Sequence, residues 1–499
     1  MEQGIPRGLI WLPLIGLFVL AMLRVTALAM EGDYVAMLLP IAVFALAVLL
    51  VVRRYHLPAL AVLSMLPGRG VFLGGFGYWD ALAAVVVLSC LARSTLGVRE
   101  GHPMTGRSTW VLITAYGCIM IGHLVANLLG IGTGSEGGQQ AAFVSLMTIL
   151  AGFYILTGRL PEERLAYVPL LGLLPGLFEA ALEIVNYVWP STIMATYALY
   201  SNSLNWETFQ VLQSGGQVSR LAGLRALGLC LALLCCVRLV RLRRFVSLEG
   251  VLVLLGFATS FFLVLLAGYR SYVMAVLTAV AVATYLRSRT LALVGALAML
   301  MALTGLSLYN SRVEPLPLPV QRSICWFPGN WDYTTAYMAR EGWTWRTGVW
   351  ARFMHSVFPQ HPWFGQGVRY FAQEARGRTL NGEQLFAVSQ LTHSGFLSAL
   401  DYVGILGTSA FVAVTLRAFY NCLVLVRRWR RRLEPWIVWV MLYFLSQQVW
   451  YWLTGFFLNS YVTLTVPMLL LELGRYRMEQ GPSRPAPDQS VAPAIRPLR

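Results

Sequence analysis

The chain has 499 residues, of which 57% are hydrophobic and only 12% charged. Soluble globular chains are about 45–50% apolar and about 25% charged. The composition therefore excludes a soluble enzyme, a disordered chain and a fibrous repeat, and leaves a polytopic membrane protein. The net charge is +16, and all 38 basic residues are arginine. These arginines fall between apolar runs, where they read as cytoplasmic loop charge rather than as a nucleic-acid surface.

Apolar runs occur near 8–30, 34–52, 57–74, 78–97, 108–130, 139–157, 165–189, 221–240, 246–267, 270–286, 290–309, 393–426, 434–454 and 457–474. Each is expected to be a helix, because lipid cannot satisfy an open backbone. The run at 57–74 holds Pro58, Pro67 and Arg69 and reads equally as a re-entrant segment, so twelve to fourteen spans are expected. The fold class is all-α. The first apolar run leads into further spans and reads as an anchor rather than a cleaved signal. The seven cysteines show no CxxC or zinc spacing.

Arginine clusters at 53–54, 93–107, 159–164, 238–244, 287–289 and 427–432 set the orientation. Fourteen spans with a cytoplasmic N-terminus put every cluster on one side. The chain then divides into N-terminal helices over 1–220, helices with arginine-bearing outer ends over 221–309, and a large outer loop over 310–392. C-terminal helices over 393–474 and a disordered cytoplasmic tail over 475–499, rich in proline and polar residues, complete it. The outer loop holds six of the sixteen tryptophans and two histidines, with a third, His393, at its edge. Connections that long are usually functional.

Two arginines break the charge rule. Arg220 precedes the run at 221–240 and Arg270 opens the run at 270–286, both on the outer side. Paired guanidiniums there suit a phosphate or diphosphate, although each could instead snorkel to headgroups. His393 opens the next long span, and a neutral imidazole can take a proton from a hydroxyl; a lone interfacial histidine also serves structure. Asp401 lies about two turns further along the same face, roughly 12 Å deeper. Glu179 and Glu183 share one face of the run at 165–189 and either support the site or fix packing. No DxD pair, HExxH or Walker loop occurs. An activated donor at the outer face would then arrive on a lipid, without nucleotide or metal.

Several segments together carry a resemblance. His393-Ser394, nine residues, Gly404, two residues and Gly407 match the pattern H[NSQ]x9Gxx[GTY] of bacterial O-antigen ligases. Arg220-Leu221-Ala222-Gly223-Leu224 matches that family's Rx3L element, and Leu266–Ser271 resembles its TGSRG helix start. Arg346 through Trp350, followed by His361-Pro362-Trp363-Phe364-Gly365-Gln366-Gly367, resembles its R…W and HPxxGxG segments. Tyr269 and Ser394 depart from the commoner Ser and Asn. The chain thus resembles the O-antigen ligase/polymerase superfamily over about 215–410.

The resemblance implies a GT-C-like fold in the bacterial inner membrane, with cytoplasmic termini and a periplasmic site. It implies an inverting, metal-independent glycosyltransferase without cofactor. The donor would be a glycan on undecaprenyl diphosphate, and the acceptor a glycan or lipid A-core. Its other partners would be the bilayer, a flippase and a chain-length regulator, with no nucleic acid. In this reading His393 is the base, Arg220, Arg270 and Arg346 bind the diphosphate, and Asp401, Glu183 and Glu179 support them. Polymerase and ligase share the signature. The competing class is a transporter or flippase of lipid-linked oligosaccharide, which predicts pseudo-repeated halves with broken helices at the midplane.

Overall fold

A computed structural model describes residues 56–63, 69–70, five positions between 82 and 90, 107–128, 136–156, 164–192, 200–201, 221, 223–367, 393–454 and 457–480. The described helices are α1 His56–Leu63, α2 Arg107–Leu128, α3 Glu136–Leu156 and α4 Leu173–Val188. They continue as α5 Leu224–Arg241, α6 Leu248–Leu266, α7 Arg270–Arg287, α8 Arg289–Arg312, α9 Leu318–Ile324 and α10 Tyr333–Arg352. The last three are α11 Gly395–Trp429, α12 Pro435–Thr454 and α13 Phe457–Gln480. Among the described residues the only strands are a two-residue pair, Arg69–Gly70 antiparallel to Tyr200–Ser201.

Four described helical segments are long and apolar enough to cross a membrane: Leu165–Val188, Leu248–Leu266, Arg289–Arg312 and Gly395–Trp429. The side-chain pattern of α4 is inverted relative to a soluble helix. Glu179, Glu183 and Asn186 are buried, while Leu174, Leu177, Phe178, Ile184 and Tyr187 are exposed. On α8 the exposed residues include Leu293, Val294, Leu297, Leu300 and Met301. Water would reverse both patterns; a hydrocarbon solvent favours them, because only buried polar groups find partners there.

Described arginines of three clusters, Arg241, Arg287 and Arg430, gather at one end of the bundle, where they bond helix-end carbonyls. The last carbonyls of a helix have no intrahelical partner. Arg287 donates to Leu239 O at 2.9 Å and to Leu242 O, closing the end of α5. Arg430 donates to the carbonyls of Tyr285 and Leu286, closing the end of α7. Arg241 donates to Leu433 O at 3.0 Å. A guanidinium suits this task because its fork reaches several oxygens at once. The opposite ends of α5, α7 and α11 therefore meet at the other end of the molecule, which carries Arg270 and His393.

Helix starts follow the sequence. Ser247 caps α6 by accepting from Gly250 N at 3.1 Å, and Asp332 caps α10 by accepting from Thr335 N at 2.8 Å. Small residues let helices approach. The Ser260 hydroxyl donates to Gly228 O at 2.6 Å across α6 and α5. The last helix runs to Gln480, past the expected start of the tail at 475; the rest of that tail lies outside the described residues.

One buried ion pair ties α11 to α13. Arg417 forks onto Glu472, with Nε to Oε2 at 3.1 Å and Nη2 to Oε1 at 2.8 Å. Asn421 adds a bond to Oε2 at 2.6 Å, and the Thr109 hydroxyl from α2 another at 3.4 Å. Removing one partner of a buried pair strands the other. Glu472→Ala is expected to cost about 2–4 kcal/mol, toward the lower end because the Arg417 side chain keeps 30% of its surface exposed. A thermal unfolding scan in detergent checks this, with a lowered midpoint as the expected result.

Candidate functional site

Of the segment expected as a loop over 310–392, residues 310–367 are described, and they fold into α9, α10 and the turns around them. α9 packs against α6 and α7. The Ser323 hydroxyl donates to Leu265 O at 2.9 Å, at the end of α6. Trp326 and Trp331 donate their indole N–H groups to Ser323 O and Phe327 O, at 3.0 and 2.7 Å. These two tryptophans hold the loop unit together. Arg270, half-buried at the first position of α7, stands beside this unit. Burial pushes the Cys325 thiol up, and Arg270 is the strongest of the groups that pull it back down.

The long run at 393–426 was expected as one straight span. It is instead broken at Gly404, where φ is 63° and ψ is −167°. That combination is essentially closed to residues with a Cβ. The two halves do not share an axis. The Tyr451 hydroxyl donates to Gly395 O at 3.0 Å, while its ring lies 5.6 Å from the Phe411 ring. Residues 395 and 411 would be about 24 Å apart along a straight helix. One tyrosine reaches both because the short helix 395–403 turns at Gly404 and doubles back toward the long one.

A segment before this hairpin fills the turn. Gln366 N donates to Asp401 O at 2.7 Å, and Gly367 N to Tyr402 O at 3.1 Å. Ile405 N and Leu406 N donate to Pro362 O and Trp363 O at 2.8 and 3.1 Å. The backbone groups released by the break are thus paired within the protein. Gly365 is needed here, since a Cβ on it would lie 2.6 Å from Asp401 O and Gly404 N. The HPWFGQG segment owes its glycines to this seat.

His393 precedes the short helix and is held tightly. Its φ is +50°, the one left-handed non-glycine residue among those described. The Trp345 ring packs edge-on against the imidazole at 5.4 Å between centroids. The Ser394 hydroxyl reaches Trp452 O at 3.5 Å. Burial, and then the positive charge of Arg346, push the His393 imidazole down to about 4. At neutral pH it is therefore uncharged, with a guanidinium nearby. α10 supplies both Trp345 and Arg346 from adjacent positions.

The structure thus joins His393 to Arg346, and Arg270 to the folded loop unit at the same end. Arg220 lies outside the described residues. Asp401 lies about two turns along the short helix 395–403, ahead of the break at Gly404. Its carboxylate accepts from Gln366 Nε2 at 3.0 Å. Glu179 and Glu183 share a buried face of α4, next to Gly223, whose added Cβ would meet Glu179 O at 2.5 Å and the Glu183 Cβ at 2.7 Å. That places them beside the Rx3L segment.

Arg225 is a further buried cation that sequence reading passed over. Its guanidinium lies 5.3 Å from the Tyr269 ring centroid and 5.5 Å from that of Tyr272, so it is gripped by the residues flanking Arg270. An arginine inside an otherwise apolar run was the available signal. Tyr269, which departs from the family pattern, supplies one of the two rings. Among the described residues no group of three or more His, Cys, Asp or Glu is placed to hold a metal ion.

No family model matches the chain, and no curated protein sequence matches it.

Proposed function

We propose that the protein is a membrane glycosyltransferase of the O-antigen ligase/polymerase type, transferring a glycan from an undecaprenyl-diphosphate donor to an acceptor hydroxyl at the outer face of the bacterial inner membrane. One observation carries this reading: an uncharged, sterically pinned His393 with the Arg346 charge beside it, at the end of the bundle that also holds Arg270. The arginine-capped end is then cytoplasmic, and the His393 end periplasmic.

In this mechanism the acceptor oxygen attacks the anomeric carbon, and the bond from that carbon to the diphosphate oxygen breaks. The diphosphate leaves with the electron pair, and the acceptor proton passes to the His393 imidazole. Arg346 and Arg270, with Arg220, stabilise the charge on the departing diphosphate, an interaction strengthened by partial dehydration. A single displacement inverts the anomeric centre. The diphosphate also offsets the repulsion that Arg346 exerts on a protonated imidazole. Donor binding therefore raises the basicity of His393 at the moment a base is required. Polymerase and ligase follow the same chemistry and differ in the acceptor.

A transporter of lipid-linked oligosaccharide would use the helix break differently. Transporters leave unwound backbone open to the substrate or ion. Here the break at Gly404 is occupied by residues 362–367 of the same chain, which favours the transferase.

The test is glycan assembly in a deletion strain of the source bacterium, complemented with wild type, His393→Ala or Arg270→Ala at matched membrane levels. Loss of extended or transferred glycan with accumulation of lipid-linked units is the expected result, and product size separates polymer from single transfer. Wild-type glycan from both variants would remove the mechanism.

A further inference from the structure

We infer that Gln366 and Asp401 form a clasp that positions His393, and that Asp401 acts through this hydrogen bond rather than as a charged catalytic group. The inference rests on the transferase reading and adds to it how the base is held.

Two anchors fix the short helix 395–403. At its start, Gly395 O accepts from the Tyr451 hydroxyl at 3.0 Å, and a Cβ on Gly395 would lie 2.4 Å from the Tyr451 ring. At its end, the four backbone bonds between 362–367 and 401–406 lock the turn. Backbone bonds alone specify that a strand-like segment lies here, but not its register. The register is constrained by Gly365 facing Gly404 too closely for a Cβ, and by a side-chain bond, Gln366 Nε2 to Asp401 Oδ1 at 3.0 Å. Asp401 is 2% exposed, so its carboxylate is held among protein groups and is not presented to a substrate. A shift of one residue in this register would carry the short helix and the His393 backbone with it. Misplacing a reacting group by about 1 Å costs on the order of a hundredfold in rate.

The same bond joins the base to the rest of the site. Residues 361–367 follow α10 through one irregular turn, from Phe353 to Gln360. α10 carries Arg346 and Trp345. The clasp thus ties the element bearing the base to the element bearing the neighbouring arginine. His393 sits between a helix start and the α10 face, and the Gln366–Asp401 pair links the two sides of that slot.

A donor–acceptor exchange tests this directly. Asp401→Asn keeps an acceptor oxygen for Gln366, Gln366→Glu sets two carboxylates against each other, and the double variant Gln366→Glu/Asp401→Asn restores a bond with the roles reversed. Asp401→Leu removes it. Each purified protein is assayed in nanodiscs with lipid-linked glycan extracted from the deletion strain, alongside His393→Ala, and its thermal midpoint is measured. Asp401→Asn is expected within about threefold of wild type. Gln366→Glu and Asp401→Leu are expected to lose about tenfold to a hundredfold in kcat with little change in donor KM, and the double variant to recover most of that loss. Two results overturn the clasp: an inactive Asp401→Asn of normal midpoint, which would make Asp401 a charged participant, or a double variant no better than Gln366→Glu. Full activity in His393→Ala would instead sink the transferase reading itself. If Asp401→Leu unfolds, the exchange series still decides, since its members conserve size.

Discussion

Gly404→Ala is expected to destroy the assembled protein before any chemistry is measured. The new Cβ would lie 2.4 Å from the carbonyl carbon and oxygen of Trp363, and 2.5 Å from Gly365 N. These are backbone atoms and cannot swing aside. The backbone at φ 63°, ψ −167° adds conformational strain of about 1–3 kcal/mol for a residue with a Cβ. Alanine also favours a continuous helix over the whole of 395–429. Straightening would pull Gly395 from Tyr451 and release four backbone bonds at about 1 kcal/mol each. The total is at least about 4 kcal/mol, a large part of the stability of most domains. The measurement is monodisperse protein recovered in detergent and its thermal midpoint. Gly305→Ala is the control, since an added Cβ there meets nothing within 4 Å. A Gly404→Ala protein with wild-type yield and midpoint would mean that the hairpin does not form.

The second large effect concerns the base. His393→Gln preserves size and polarity but cannot take the acceptor proton, and turnover is expected to fall by about 100- to 10,000-fold. The wild-type pH profile carries a more particular signature. The group works when neutral, so activity falls as pH drops through its pKa. Burial and Arg346 hold the unliganded imidazole down to about 4. The acid limb of kcat/KM, which reports the free enzyme, is therefore expected near pH 4. The limb of kcat, which reports the donor complex, is expected at higher pH, because the diphosphate offsets the Arg346 charge. Arg346→Gln should raise the kcat/KM limb while leaving it below the ordinary histidine value of 6.5, because burial persists. An acid limb that is unmoved in Arg346→Gln would separate Arg346 from the base. A profile unchanged in His393→Gln would assign the proton transfer to another group.

How far the sequence reached differs between elements for physical reasons. Hydropathy and charge are sums over neighbouring residues, so the solvent and the all-helical class were legible without any tertiary information. The arginine clusters at 238–244, 287–289 and 427–432 were legible as one end of the bundle for the same reason. Their role as caps on other helices was not, because Arg287 and Arg430 reach carbonyls 45 and 144 residues away or more. The four described candidate spans coincide with runs read from hydropathy to within about three residues at each end, whereas the runs before residue 56 and Arg220 lie outside the described residues.

The candidate site shows the same division. Arg270 was visible because it breaks the charge rule, His393 because it opens a long span, and Arg346 through a segment that resembles the O-antigen ligases. Gln366, Trp345 and Tyr451 were not, since an amide or a ring carries no signal until its partner is known. Asp401 was noticed for its charge, but its partner Gln366 arrives from 35 residues earlier in the chain. A glycine within an apolar run is compatible with a helix, so nothing local announces that the chain reverses there. The reversal is decided by residues 362–367, which arrive from earlier in the chain and satisfy the backbone groups that the break releases. By itself the sequence determined the membrane as solvent, the helices that lipid demands, and the charged residues that could act. Only the tertiary structure decided which of them meet, because contacts between distant segments rest on shape and hydrogen-bond geometry that no local pattern encodes.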